Sequence, residues 1–216
     1  MSDHYQFIRK ELKHARIRVS EDGCIRVFIP NNFTETDIEL LLKKKQNWIK
    51  QQQLFFKQKT KIELGRNQLL LFGGRYHYFY DNTFVRKIVI DHNFKTIRAS
   101  RNLLNKDIQI KWYKSVAKRY LVKRIDELAM RLGFKYNKIY IRDQRTKWGN
   151  CSQDKNISLN WRLIKAPTIV IDYLIVHELV HTKIMKHSTK FWTMLRSHYP
   201  DYKAAIDWLD HYGNSL

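Results

Sequence analysis

Cysteine is nearly missing from this chain of 216 residues, which holds only Cys24 and Cys151. The two stand far apart and outside any CxxC spacing, which excludes a disulfide framework and cysteine ligation of a metal and leaves two reduced thiols as the expectation. Proline and glycine are scarce too, at three and seven residues. No extended disordered or low-complexity stretch is therefore expected, and the whole chain should fold. Long aliphatic runs are also absent. The opening MSDHYQFIRK has no apolar leader segment, and no later run approaches the roughly 20 residues of a membrane span, so a cytoplasmic protein without a membrane partner is expected.

Positive charge is present in excess: 41 Lys and Arg against 20 Asp and Glu, a formal net charge of +21. A surface this positive attracts polyanions and makes any such binding salt-sensitive. Non-specific nucleic-acid binding and simple solubility are both open readings. The charge is spread too evenly to choose between them, since residues 1–106 carry 21 basic and 10 acidic side chains and residues 107–216 carry 20 and 10.

Patterning along the chain predicts a mixed α+β protein. Ile17 and Val19, then Ile25, Val27 and Ile29, alternate with other residues around Asp22 and Gly23, which predicts a hairpin. Thr34 and Asp37 have capping-box spacing ahead of Ile38, Leu41, Leu42, Trp48 and Ile49, which predicts a helix to about residue 57. Strand-like pieces follow: LLLF, RYHYFY, RKIVI and KTIRAS. A second helix is expected over 107–132, with Ile110, Tyr113, Ala117, Leu121, Leu128 and Leu132 on one stripe and Gly133 as its stop. Next come a short strand, KIYIRD, a turn-rich link and a second strand, ISLNWRLI. This organisation suggests a strand-rich scaffold or binding region over 1–106 and a catalytic region over 107–216.

The chemistry concentrates in IVHELVHTKIMKH, 175–187. On a helix, positions i and i+4 share a face, so His177 and His181 can direct two imidazoles at one ion. Glu178 lies about a quarter-turn away, placed to take a proton from water held at that ion. The surrounding TIVIDYLIVHELVH is apolar around most of its circumference, which predicts a buried helix whose polar side chains need partners. His187, six residues after His181, has the offset of a third ligand. Asp201 or Asp207 could take its place, whereas a downstream glutamate cannot, because none follows Glu178. The competing reading makes His177 and His181 hydrogen-bonded core residues and leaves His187 on the surface. The bend at TKIMK, 182–186, lacks the glycine or asparagine that usually turns a chain.

TKWGNCSQDKNISLNWRLI (146–164), YLIVHELVH (173–181) and HSTKFW (187–192) together resemble the YgjP-like metallopeptidase family, relatives of SprT-like and other minimal zincins. The hairpin, the first helix and LFGGRYHY resemble that family's N-terminal region more loosely. The resemblance implies a zincin-like fold, with a small mixed or antiparallel sheet, the HExxH helix packed on it and C-terminal helices covering that helix. It implies Zn2+ held by His177, His181 and His187, with Glu178 as general base. The family's RWGSCS reads Lys147, Trp148, Gly149, Asn150, Cys151 and Ser152 here. Lys147 and Asn160 are the implied substrate contacts, the latter through a strand, ISLN, that would pair with an extended peptide. A peptide or protein is the expected substrate. The family also admits nucleoside-triphosphate pyrophosphatase activity, in which Arg142, Arg145 and Lys147 would hold phosphates. A third reading is a DNA-associated protease or nucleic-acid-binding module.

Overall fold

Alternating apolar and polar residues build the first elements. Tyr5–Lys10 (β1), Arg16–Val19 (β2) and Ile25–Pro30 (β3) form a three-stranded sheet in the order β1-β3-β2, with β2 antiparallel and β1 parallel to β3. The computed structural model describes residues 5–12, 14–20, 24–58, 62–83 and 88–216, with the backbone alone at 52 and 54–58. The expected hairpin is the β2–β3 pair, and its turn at Asp22 and Gly23 lies outside the described residues. β1 was not expected from the sequence. Glu35–Gln58 forms α1, started by the predicted capping box: Thr34 N donates to Asp37 Oδ2 at 3.0 Å, and Asp37 N donates to Thr34 Oγ1 at 3.2 Å. Ile49 of α1 is buried with Val19, Ile25, Val27 and Ile29, and Ile38, Leu41 and Leu42 pack against them. Trp48, expected on that stripe, is exposed instead, because it stands about 100° around the helix from Ile49.

The chain divides into Met1–Thr60 and Lys61–Leu216, not at 106 as the sequence suggested. The reason is the core: Leu69, Leu71, Tyr76 and Ile97 are buried in the same cluster as Trp112, Leu121 and Ile125 and as Leu174 and Val176. In the larger unit Gln68–Leu71 (β4), Gly74–Tyr80 (β5), Ile88–Asp91 (β6) and Thr96–Ala99 (β7) form a sheet in the order β4-β5-β7-β6, with β5 and β7 parallel. Gly73 makes the β4–β5 turn at φ 74°, and a Cβ there would stand 2.7 Å from Pro167 Cγ, so the turn needs glycine for its conformation and for its space.

Lys106–Leu132 forms α2, capped by Asn105 Oδ1, which accepts from the amides of Asp107 and Ile108, and closed by Gly133 at φ 70°. Ile139–Arg142 (β8), Gly149–Cys151 (β9) and Ile157–Asn160 (β10) follow, ordered β8-β10-β9, with β10 parallel to β8 and antiparallel to β9. The expected strand through 164 stops at Asn160. The chain then enters a 3-10 turn over Trp161–Lys165, which Asn160 Oδ1 caps by accepting from Arg162 N at 3.1 Å.

Thr168–His181 forms α3, Thr189–His198 forms α4 and Tyr202–Tyr212 forms α5. Arg124 of α2 grips Asp172 of α3 with two bonds of 2.7 Å, and this half-buried fork holds the guanidinium charged. Phe191, Leu195 and Ala205 of α4 and α5 join the α3 core. Among the described residues the result is a mixed α+β fold with five α-helices and small mixed sheets. Among the described residues no helix is long and apolar enough to cross a membrane.

Candidate metal centre

Helix α3 is apolar nearly all round, as predicted: Val170, Ile171, Ile175, Val176, Leu179 and Val180 are fully buried. Such a helix holds its polar side chains rigidly, and it places His177 and His181 Nε2 3.2 Å apart on one face. His187 Nε2 closes a triangle, 3.1 Å from His181 Nε2 and 3.0 Å from His177 Nε2. The three rings can hold a metal ion with one nitrogen each. Asp201 and Asp207 are not part of this group.

The TKIMK bend forms without any residue in the left-handed region between 182 and 187. The last carbonyls of α3 are satisfied locally. Thr182 Oγ1 donates to Leu179 O at 2.7 Å, and the amides of Lys183 and Ile184 both donate to Val180 O at 3.0 Å. Glycine is therefore unnecessary, because Thr182 leaves the helix in the right-handed region and its hydroxyl takes one of the terminal carbonyls. The bend also fixes one ring of the triangle: His181 Nδ1 lies 3.1 Å from Ile184 O. A carbonyl only accepts, so Nδ1 carries the proton and Nε2 presents its lone pair to the triangle.

Three neutral imidazoles cannot satisfy one another across such a triangle, since each contact needs a donor and His181 Nε2 is an acceptor. A tetrahedral ion with Zn–N bonds of about 2.0–2.1 Å sets its nitrogens about 3.3 Å apart, close to the edges seen here. The donor set thus fits zinc. Burial, and then the neighbouring His181 and His187, pushes His177 down to about 3, and burial lowers His181. Both are thereby kept in the neutral form that binds metal. Phe191, fully buried, lies behind the triangle, with ring centroids 5.0, 4.5 and 4.8 Å from His177, His181 and His187. Trp192 stacks on His187 at 5.7 Å and 25°. That one ring backs all three histidines emerges only in three dimensions.

Glu178 is 4 % exposed, and its Oε2 is buried without a hydrogen-bond partner among the described residues. Burial raises its carboxyl to about 8, against a smaller opposing pull from Lys147. Gly149 of β9 was not singled out from the sequence, yet it makes room for this side chain. A Cβ at 149 would lie 2.7 Å from Glu178 Oε1 and 2.9 Å from its Cγ. Gly149→Ala is therefore expected to displace the carboxylate, costing roughly 1–3 kcal/mol of stability and most of the activity; thermal melts and turnover measured together check it.

The raised carboxyl has a pH signature. Between the ordinary glutamate value of 4.5 and about 8 the folded metal-free chain holds a proton that the unfolded chain releases, so stability falls as pH rises through that window. At pH 7 the cost is about 3 kcal/mol, at 1.36 kcal/mol per unit. Urea titrations of chelator-treated protein are expected to give Glu178→Gln and the parent similar stability near pH 4.5 and a more stable Gln variant at pH 7.5.

Lys147 is exposed beside the site, and its carbonyl accepts from Asn160 Nδ2 at 3.0 Å. Asn160 corrects an expectation. Its amide donates to Gln144 O and Lys147 O while its oxygen caps the following turn, so the side chain holds the 144–147 loop and has no donor left for a substrate. ISLN is likewise not a free strand, because β10 has a neighbour on both sides and β9 is the edge next to Glu178. Cys24 and Cys151 are not joined in a disulfide, and burial pushes the Cys151 thiol up to about 11, which removes it as a thiolate nucleophile.

Comparison with known proteins gives a family match over residues 13–212, described as YgjP-like, metallopeptidase domain. Among solved structures, the chain is similar to the metallopeptidase zymogen abylysin of Pyrococcus abyssi, at 21% identity over 41% of this chain and 90% of that one, with a TM-score of 0.38. It is similar also to the zymogen jannalysin of Methanocaldococcus jannaschii, at 24% identity over 40% and 93% of the two chains, with a TM-score of 0.36. No curated protein matches.

Proposed function

The chain belongs to the YgjP-like metallopeptidase family, and from that premise we propose that it is a zinc-dependent peptidase of zincin type. His177, His181 and His187 are its ligands and Glu178 its general base. The observation that carries this reading is the triangle of Nε2 atoms with edges of 3.0–3.2 Å beside a buried carboxylate whose Oε2 has no partner among the described residues. Zinc bound there supplies a Lewis acid that polarises the scissile carbonyl and lowers the pKa of water toward neutrality.

The remaining work falls to side chains of the chain itself. Glu178 takes the proton of the attacking water and passes it to the departing amine. Ile184 O holds the His181 tautomer, and Phe191 keeps bulk water from the far side of the histidines. Lys147, whose charge acts on Glu178, is the cation available to a substrate carbonyl or carboxylate. An extended peptide would add to β9, the open edge beside Glu178, rather than to β10.

The pyrophosphatase reading has less support. Arg142 lies on the ring of Tyr140 at 4.8 Å, and Lys114 and Arg162 are tied to Asp143, which they hold well below the ordinary carboxylate range. Parallel assays of peptide cleavage and of pyrophosphate release from nucleoside triphosphates, run on zinc-loaded protein, test the choice. Peptide cleavage that disappears on chelation is the expected result; pyrophosphate release alone would overturn it.

A further inference from the structure

Away from the histidine triangle, a groove of about 730 Å3 runs between β6 and the N-terminal half of α2. Its apolar lining is Ile88 and Ile90 from the strand, Leu103, and Ile108 and Trp112 from the helix. Its polar lining is Ser115 and three cations, Arg101, Lys111 and Arg119, with no acidic side chain among them. None of the three cations has an ion-pair partner among the described residues. On α2, residues 108, 112, 115 and 119 recur at helical spacing, so one stripe of the helix forms a wall. The opposite wall is an edge: β6 pairs with β7 on one side, and among the described residues no strand pairs with its other side.

We propose that this groove binds an extended, acidic peptide segment of a partner protein, which adds to β6 as a further strand. Each feature answers one property of such a ligand. The open edge offers backbone amides and carbonyls to another backbone, and the trough between strand and helix takes every second side chain, as strand addition requires. Aliphatic lining selects apolar residues at those positions. Arg101, Lys111 and Arg119, charged and unpaired, select carboxylates beside them. A nucleic-acid strand fits less well, because Trp112, the groove's one aromatic residue, is only 7 % exposed, too little to carry a stacked base. A second copy of the chain, at +21, would bring charge of the wrong sign. The groove shares no residue with the metal centre, so this inference does not depend on the peptidase reading.

The test uses the full chain carrying Glu178→Gln, so that no probe is cleaved. The probe is a short fluorescein-labelled peptide alternating glutamate with valine, followed by fluorescence anisotropy. Saturable binding is expected, with amide hydrogen exchange slowed in 88–91 and with roughly tenfold weakening by Lys111→Glu combined with Arg119→Glu. Equal binding of the lysine-for-glutamate peptide, binding unchanged by the double reversal, or displacement of the peptide by oligothymidylate would overturn the proposal. Hydrolysis of a small chromogenic peptide by the double-reversal variant with Glu178 intact should equal that of the parent. Loss of groove binding is thereby distinguished from failure of the metal centre.

Discussion

Glu178→Gln is expected to lower peptide hydrolysis by about a thousandfold while leaving zinc stoichiometry and folding intact. The amide has nearly the shape of the carboxyl, so Gly149 still accommodates it and the three histidines are undisturbed. What disappears is the proton acceptor. An amide cannot take a proton from the attacking water or return one to the leaving amine, and both steps are then left to solvent. Steady-state kinetics with metal content measured on the same preparations decide the matter. A variant that keeps its metal and full activity would remove Glu178 from the mechanism.

His181→Ala is expected to abolish tight zinc binding. His181 is the most constrained of the three proposed ligands, since its Nδ1 is fixed by Ile184 O and its Nε2 lies within 3.2 Å of the Nε2 atoms of His177 and His187. Removing it leaves two imidazoles, and two nitrogens do not satisfy a tetrahedral ion. Affinity should fall by at least about 100-fold, with activity lost in parallel. Competition against a chromophoric chelator measures the affinity, and far-UV circular dichroism checks that α3 persists. His177→Ala should behave alike. A variant that binds zinc as tightly as the parent would refute the ligand set.

Much of this site was legible before any coordinates. The spacing of His177 and His181 needs only a helix to become geometry, and the apolar run around them states that the helix is buried. His187 was legible by its offset alone. Its placement was not, because the bend over 182–186 contains none of the residues whose backbone preferences announce a turn. It forms through the Thr182 hydroxyl and a carbonyl of residue 184, contacts that a reading of turn propensities does not capture. Asn160 shows the reverse error. Its position in a strand near the site suggested a substrate contact, but its three hydrogen-bonding groups are taken by the 144–147 loop and the following turn.

The division of the chain was misplaced for a similar reason. Composition changes little at residue 60, and patterning marks only that strands give way to a helix near 106. Whether Leu69, Tyr76 and Ile97 bury against α2 or against α1 depends on which faces meet, and periodicity does not say which partner a face will find.

By itself, then, the sequence determined the elements that short-range physics controls: the capped helices α1 and α2, the buried α3 and the pair of imidazoles one turn apart. Tertiary structure alone decided the rest. It made β10 central and β9 the edge, set Gly149 against Glu178, placed one phenylalanine behind three histidines and brought β6 alongside α2. Each of these joins residues distant in the chain, and contacts of that kind follow from how whole faces pack, which no local pattern of residues encodes.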